Sequence, residues 1–191
     1  TDPEITQSSV QIVRKHPAGG SERVAEYREQ LVDALFSRMF NERLDELSRK
    51  PDAPFLGAGV GGGALARRVD TYSLSARVPD GSLIAGLSAL MVEARRVREF
   101  GFYGSEFDRA KRSMSASYER AYNERGTTDS GSYAREYVSH FLVGEPSPGI
   151  TYEYALVQTL LPGVTLDEVT ALARRRLTDG SAVLLAVSPQ K

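Results

Sequence analysis

The sequence predicts an α+β sandwich: one mainly antiparallel sheet of about four strands, covered by helices largely on one face. Three observations predict it. Apolar residues alternate with period two near the start and around residues 69–78, with a continuous apolar run near the end. They recur at helical spacing through the long segments between. Proline and glycine clusters separate these stretches into the order β-α-β-β-α-α-α-α-α-β, which groups most helices after the third strand instead of alternating strand with helix.

From the first residues onward, Ser9 to Arg14 alternates with Val10 and Ile12 on one face, and Pro17-Ala18-Gly19-Gly20 ends that strand. Ser21 is placed to cap a following helix, with Glu22 in its first turn favourable to the helix dipole. Two interleaved rows, Val24, Leu31, Leu35, Met39 and Val32, Phe36, Phe40, Leu44, Leu47, give that long helix one broad apolar stripe able to lie along a sheet. Pro51 and Pro54 end it, because proline lacks the amide hydrogen and biases its predecessor away from the helical region.

Phe55 to Val60 and Val69 to Val78 read as an antiparallel pair, the second with Tyr72, Leu74, Ala76 and Val78 on one face. Asp80 is positioned to cap a helix from Ser82 to Phe100, with apolar positions Leu83, Leu87, Leu90, Met91, Ala94 and Val97, closed by Gly101. Ser105-Glu106-Phe107-Asp108 opens the next helix in the manner of a capping box, running to Tyr122 before Gly126–Gly131 breaks it. Helices follow at Tyr133–Leu142 and Tyr152–Leu161, with Pro146–Gly149 as a loop between them. Thr165 and Glu168 form a second capping box for a helix through Leu177. Asp179-Gly180 then turns into Ala182–Val187, an apolar run suited to a central strand.

A length of 191 residues with 41% hydrophobic residues suits a single domain with a real core. The formal charge of −1, from 24 basic and 25 acidic residues, provides no net field for a nucleic-acid backbone or an anionic membrane. No apolar run approaches the roughly twenty residues of a membrane span. With no cysteine, disulfides, thiolate nucleophiles and cysteine-based zinc sites are excluded. The chain opens at Thr1 and reads as a piece of a longer protein.

Gly57-Ala-Gly59-Val-Gly-Gly62 formally spells the Gly-x-Gly-x-x-Gly of a dinucleotide site, but that site needs a helix starting inside the motif to hold the pyrophosphate. Here Arg67 to Val78 reads as strand, so the glycines argue for a bent strand or a flexible hairpin. Of two histidines, His16 stands alone, while His140 shares a helix face with Glu136 four residues earlier. Two donors fall short of the three protein ligands of a catalytic zinc. Gly-x-Ser-x-Gly is absent, and Glu42, Asp45 and Glu46 read as a solvated helix face. Tyr118, Tyr122, Tyr133, Tyr137, Tyr152 and Tyr154 read as core or helix-edge residues, some able to line a peptide-binding surface. The residues thus nominate no catalytic, cofactor-binding or metal-ligating side chain.

The block Tyr27–Gly63 pairs Asn41-x-Arg43-Leu44-x-Glu46-Leu47 with Pro54-Phe55-Leu56-Gly57-Ala58. Further on stand Gly101-Phe102 with Glu106 and Ala110-Lys111-Arg112, then Tyr118-Glu119-Arg120-Ala121-Tyr122. Glu145-Pro146 and Pro148-Gly149-Ile150 precede Tyr152-Glu153-Tyr154. Together these resemble the second, non-catalytic domain of bacterial pitrilysin-type (insulinase-family) zinc metallopeptidases. The resemblance spans nearly the whole chain. It implies a ferredoxin-like metallohydrolase-type sandwich that packs against a catalytic domain of the same polypeptide and helps wall a chamber admitting extended peptides. Zinc would sit in that catalytic domain on His-x-x-Glu-His, a motif this sequence lacks, so the family's ligands and general base carry over to no residue here. Arg43 falls where other domains of such enzymes set a substrate-contacting arginine, although a helix-terminal salt bridge is the expectation in a second domain. The parent would be periplasmic or secreted. The chain alone would expose an apolar or mixed patch normally covered by its neighbour and could self-associate through it. The competing reading is a stand-alone interaction or assembly module derived from an inactive peptidase domain.

Overall fold

The computed structural model describes residues 6–20, 22–66, 68–178, 180 and 182–189. Its elements are β1 (Ser8–Pro17), α1 (Val24–Ser48), β2 (Gly57–Ala66), β3 (Val69–Val78), α2 (Leu83–Phe100), α3 (Gly104–Asn123), α4 (Ser130–Val143), α5 (Ile150–Leu160), α6 (Leu166–Arg176) and β4 (Ala182–Val187). Short 3-10 turns at Arg125–Thr127 and Leu161–Gly163 join α3 to α4 and α5 to α6. The strands form one sheet in the order β2-β3-β1-β4, every neighbouring pair antiparallel. This is the α+β architecture the sequence predicts.

Period two decides which face of the sheet is covered. Tyr72, Leu74, Ala76 and Val78 of β3 and Val10 and Ile12 of β1 are buried beneath the helices. Ser73, Ser75, Gln11 and Ser9 alternate with them on the opposite face. Against the apolar face lies α1, whose Leu31, Val32, Leu35, Phe36, Met39, Phe40 and Leu44 are all buried. Phe36 is the hub: its ring stacks on Tyr72 at 5.4 Å and meets Phe40 at 6.0 Å and Phe102 edge-on at 6.1 Å. It thereby ties α1 to β3 and to the loop after α2. Val24, at the first position of α1, is 48% exposed and falls off the stripe because the helix begins beyond the end of the sheet contact.

Helix starts follow the logic of orphan amides, though not always with the expected residue. The proposed cap Ser21 lies outside the described residues. At the observed start the Arg23 amide donates to the Glu26 carboxylate at 3.0 Å. The start of α3 does the same two residues earlier than the Ser105 reading, with the Tyr103 amide donating to Glu106 at 2.6 Å. Ser82, not Asp80, occupies the cap position of α2 and makes no side-chain cap bond. Asp80 accepts instead from the Ser8 hydroxyl at 2.9 Å, which pins β1 to the end of β3. Thr165 and Glu168 form the capping box the sequence predicts.

Three further expectations are corrected. The strand read at Phe55–Val60 starts later and runs further, paired with β3 from Gly57 to Ala66 with one irregularity between Ala64 and Ala66. The glycines thus lie within a strand, one of the two readings given them, while Phe55 is a buried core residue ahead of it. Ala182–Val187 is an edge strand and not a central one, because β1 takes β3 as its other neighbour. Val183, Leu184 and Leu185 consequently remain about half exposed. Met91 is 55% exposed, since α2 turns Gly86, Leu90, Ala94 and Val97 to the sheet, with Glu93 buried beside them.

Two glycines are required by close approach. Gly101 ends α2 at φ 68°, a left-handed conformation, and a Cβ there would meet Thr170 Oγ1 at 2.9 Å. Gly86, in the middle of α2, lies so near the buried Val78 side chain that a Cβ would overlap it. Gly86→Ala removes a helix-interior glycine, worth about 1 kcal/mol in an open helix. Forcing α2 away from β3 costs more, about 1–3 kcal/mol by the measure of overpacked cores. Urea unfolding is expected to show net destabilisation; a stabilised variant would mean that α2 is not in contact with β3 at this point.

Candidate functional site: a groove beside the glycine-rich edge strand

An open groove of about 1280 Å³ lies between the first half of α1, the ends of β1, β2 and β3, and α6. Its walls follow from local sequence. Gly61, Gly62 and Gly63 present bare backbone along one side, because β2 carries no side chains there. Tyr72 forms part of the floor. Its ring is locked against Phe36, and its hydroxyl is buried without a hydrogen bond of full geometry. Burial pushes that hydroxyl's pKa far up, with Ser37 opposing, so it is neutral.

The edge of β2 is divided. The Asn41 side chain spans both backbone groups of Val60, its Nδ2 donating to the carbonyl at 3.0 Å and its Oδ1 accepting from the amide at 2.8 Å. Val60 therefore directs its backbone away from β3, and by the two-residue repeat Gly62 directs its own the same way, past Asn41 and along the groove.

The groove's charges are of both signs and mostly committed. Arg28 pairs with Glu168 at 2.5 Å and donates to the Gly163 carbonyl at 2.9 Å, fastening α1 to α6. Arg176 bridges to Asp33 at 3.1 Å, Arg14 donates to the Thr178 carbonyl at 3.1 Å, and the Asp70 carboxylate accepts from the Gly19 amide at 3.2 Å. Such a surface suits a neutral or mixed-charge chain better than a polyanion.

The donor set does not fit a catalytic zinc. Helix α1 turns Arg28, Glu29, Val32, Asp33 and Ser37 toward the groove, without a histidine pair at the spacing of His-x-x-Glu-His. His16 lies at the far end of β1 with Nδ1 against the Pro17 carbonyl, 2.9 Å away. Glu136 and His140 do share α4, but Glu136 accepts from Ser147 Oγ at 2.5 Å and His140 Nδ1 is engaged by the Glu145 carbonyl at 2.7 Å. No group of three or more potential ligands occurs among the described residues. The glycine motif is equally unsuited to a pyrophosphate, since Gly57–Ala66 is paired strand and leads into β3 instead of a helix.

None of the six singled-out tyrosines lines the groove; Tyr72 does, and its place on the floor follows from the β3 alternation. Tyr122 and Tyr154 stack on each other at 4.9 Å, Tyr118 approaches Tyr27 at 3.4 Å, and Tyr133, Tyr137 and Tyr152 are exposed.

At the other end of α1, Arg43 makes a salt bridge at a helix terminus, as expected, its partner being Glu106 in the first turn of α3. It is held bidentate by Glu106 at 2.6 and 2.7 Å, lies 3.5 Å from Glu93, and stacks over the Phe102 ring at 4.8 Å. Burial raises the Glu106 pKa. The Arg43 and Tyr103 hydrogen bonds and the charges of Arg43 and Arg109 outweigh it and hold the carboxyl below its usual range.

Arg43→Ala would take one partner from Glu106 and one from Glu93, which keep the Tyr103 amide and Arg96 respectively. It is expected to cost about 1.5–3 kcal/mol in urea unfolding, with Arg43→Ala/Glu106→Gln recovering part of the loss. An Arg43→Ala chain as stable as wild type would contradict this. Glu168 is held at about 2 instead of 4.5, chiefly by the Arg28 hydrogen bonds. The folded state then binds fewer protons across that window. Its contribution is complete above about pH 4.5 and is lost as pH falls toward 2. With the side chain 37% exposed, solvent screening limits it to under ~1 kcal/mol. Thermal unfolding of Glu168→Gln should accordingly lose less Tm than wild type between these pH values; equal slopes would count against the pairing.

No protein-family model matches the sequence. Zinc protease PQQL-like from Arabidopsis thaliana is 30% identical over 189 residues, 99% of this chain but 17% of the relative. The periplasmic protease PqqL from Escherichia coli superposes with a TM-score of 0.91 at 17% identity, over 99% of this chain and 21% of that one. A peptidase M16 inactive domain from Pseudomonas fluorescens superposes with a TM-score of 0.65 at 14% identity, over 98% of this chain and 42% of that one. The chain thus spans about a sixth of the curated relative it matches. The sequence likeness runs along the whole chain, and its sheet-and-helix arrangement is that of domains of insulinase-type (M16) peptidases.

Proposed function

We propose that this chain is the second, non-catalytic domain of a zinc metalloendopeptidase, packing beside a zinc-bearing domain of the same polypeptide and forming part of the wall of its peptide-binding chamber. One observation carries the reading. The helix that borders the groove offers no zinc-binding donor set, yet the groove beside it has an open strand edge at Gly62 and room for an extended chain. A segment laid along β2 gains main-chain hydrogen bonds at little cost in side-chain specificity, a mode suited to substrates of varied sequence. Zinc and the general base belong to the neighbouring domain, and no step of hydrolysis is assigned to a residue of this chain. The reading includes a periplasmic or secreted parent, which the periplasmic location of PqqL supports.

The test uses the purified chain. Titration with an unstructured peptide of mixed charge, followed by amide NMR, should move the signals of Gly61, Gly62, Gly63 and Thr71 while leaving those of α3 and α5 in place. A Gly62→Pro chain, which lacks the outward amide, should respond at least about tenfold more weakly. Unmoved groove signals at millimolar peptide, or hydrolysis of the peptide by the zinc-loaded chain, would remove the proposal.

A further inference from the structure

Helix α4 is inside out. At about 100° per residue, Tyr133, Tyr137, Val138, Phe141 and Leu142 fall within one half of its circumference, the spacing of a core-facing stripe. These are its exposed residues: Tyr133 is 39% exposed, Tyr137 63%, Val138 55%, Phe141 85% and Leu142 62%. The residues half-buried against the rest of the chain are the polar Ser132, Glu136 and Ser139 of the opposite side. Glu136 is anchored by the Ser147 hydroxyl, and the Tyr133 hydroxyl donates to the Arg125 carbonyl, so the helix is fastened in this orientation. Asp129 caps its start and Gly144, at φ 73°, closes its end. None of its described side chains belongs to the hydrophobic core.

We infer that the outward face of α4 is the surface on which this domain docks against a neighbouring domain of its own polypeptide. The inference rests on the reading of the chain as one domain of a multidomain peptidase and names the contact surface that reading leaves open. Area selects this occupant over a second copy. Five side chains at these exposures present about 600 Å², short of the about 800 Å² per partner of a stable bimolecular interface. A covalently joined partner at an effective concentration near millimolar needs no more. Charge argues against a lipid surface, because Arg135 is the sole arginine or lysine on the helix.

Hydrogen exchange decides it, comparing α4 amides in this chain alone and in the full polypeptide. The expected result is protection at least about tenfold greater in the full polypeptide. Phe141→Glu should abolish that gain while leaving the Tm of the isolated chain unchanged. Equal exchange in the two settings would overturn the inference. So would a concentration-dependent dimer of the isolated chain, or binding to phosphatidylglycerol vesicles, that Phe141→Glu dissolves. Peptide titration of the groove reports on the functional reading independently, since the groove includes no residue of α4.

Discussion

Arg43 is the side chain on which the arrangement of helices turns. A guanidinium inside a small domain is tolerable only if its donors are matched, and here the match comes from two other helices: Glu106 at the start of α3 and Glu93 within α2. Its flat face lies over Phe102, in the loop that joins those helices. A single charge thereby fixes where α2 ends, where α3 begins, and how far both lie from α1. The same carboxylate that holds Arg43 also accepts the first free amide of α3, so helix initiation and tertiary placement are one event. Phe36, two turns earlier on α1, performs the corresponding task toward the sheet.

From this follows the division of the molecule into two ends. Around Arg43 three helices are tied together by its pairs with Glu93 and Glu106, with a smaller open hollow beside them. Toward the start of α1 the contact with α6 is fastened by paired charges, Arg28 with Glu168 and Arg176 with Asp33. All four of these side chains line the groove and hold its wall in place.

Much of the fold was legible in the sequence because period and burial coincide. The β3 alternation, the α1 stripe, the loop at Pro146–Gly149 and the Thr165 capping box each have one dominant local cause, and each stands as read. What was not legible depends on neighbours. An apolar hexapeptide such as Ala182–Val187 reads the same at the centre of a sheet and at its edge, and only strand order distinguishes them. The extent of β2 was hidden because glycine carries no pattern. The pairing of Gly61 to Gly63 with Ser73 to Thr71 is imposed by β3. As for the groove, its floor residue Tyr72 was assigned to the correct face, but an opening bordered by several elements distant in sequence leaves no trace in the sequence of any one of them. A helix was read at Tyr133–Leu142, but not that its apolar side chains face outward, since a helical pattern does not say which side meets the core.

The Asn41 amide held against Val60 gives the edge of β2 a fixed origin. A side chain that reproduces the hydrogen bonds of a neighbouring residue behaves as a strand one residue long. An extended segment arriving beside β2 cannot slide across it. Its position is set by counting from that stop in steps of two residues, whatever its sequence, so that a single asparagine works as the zero mark of a ruler.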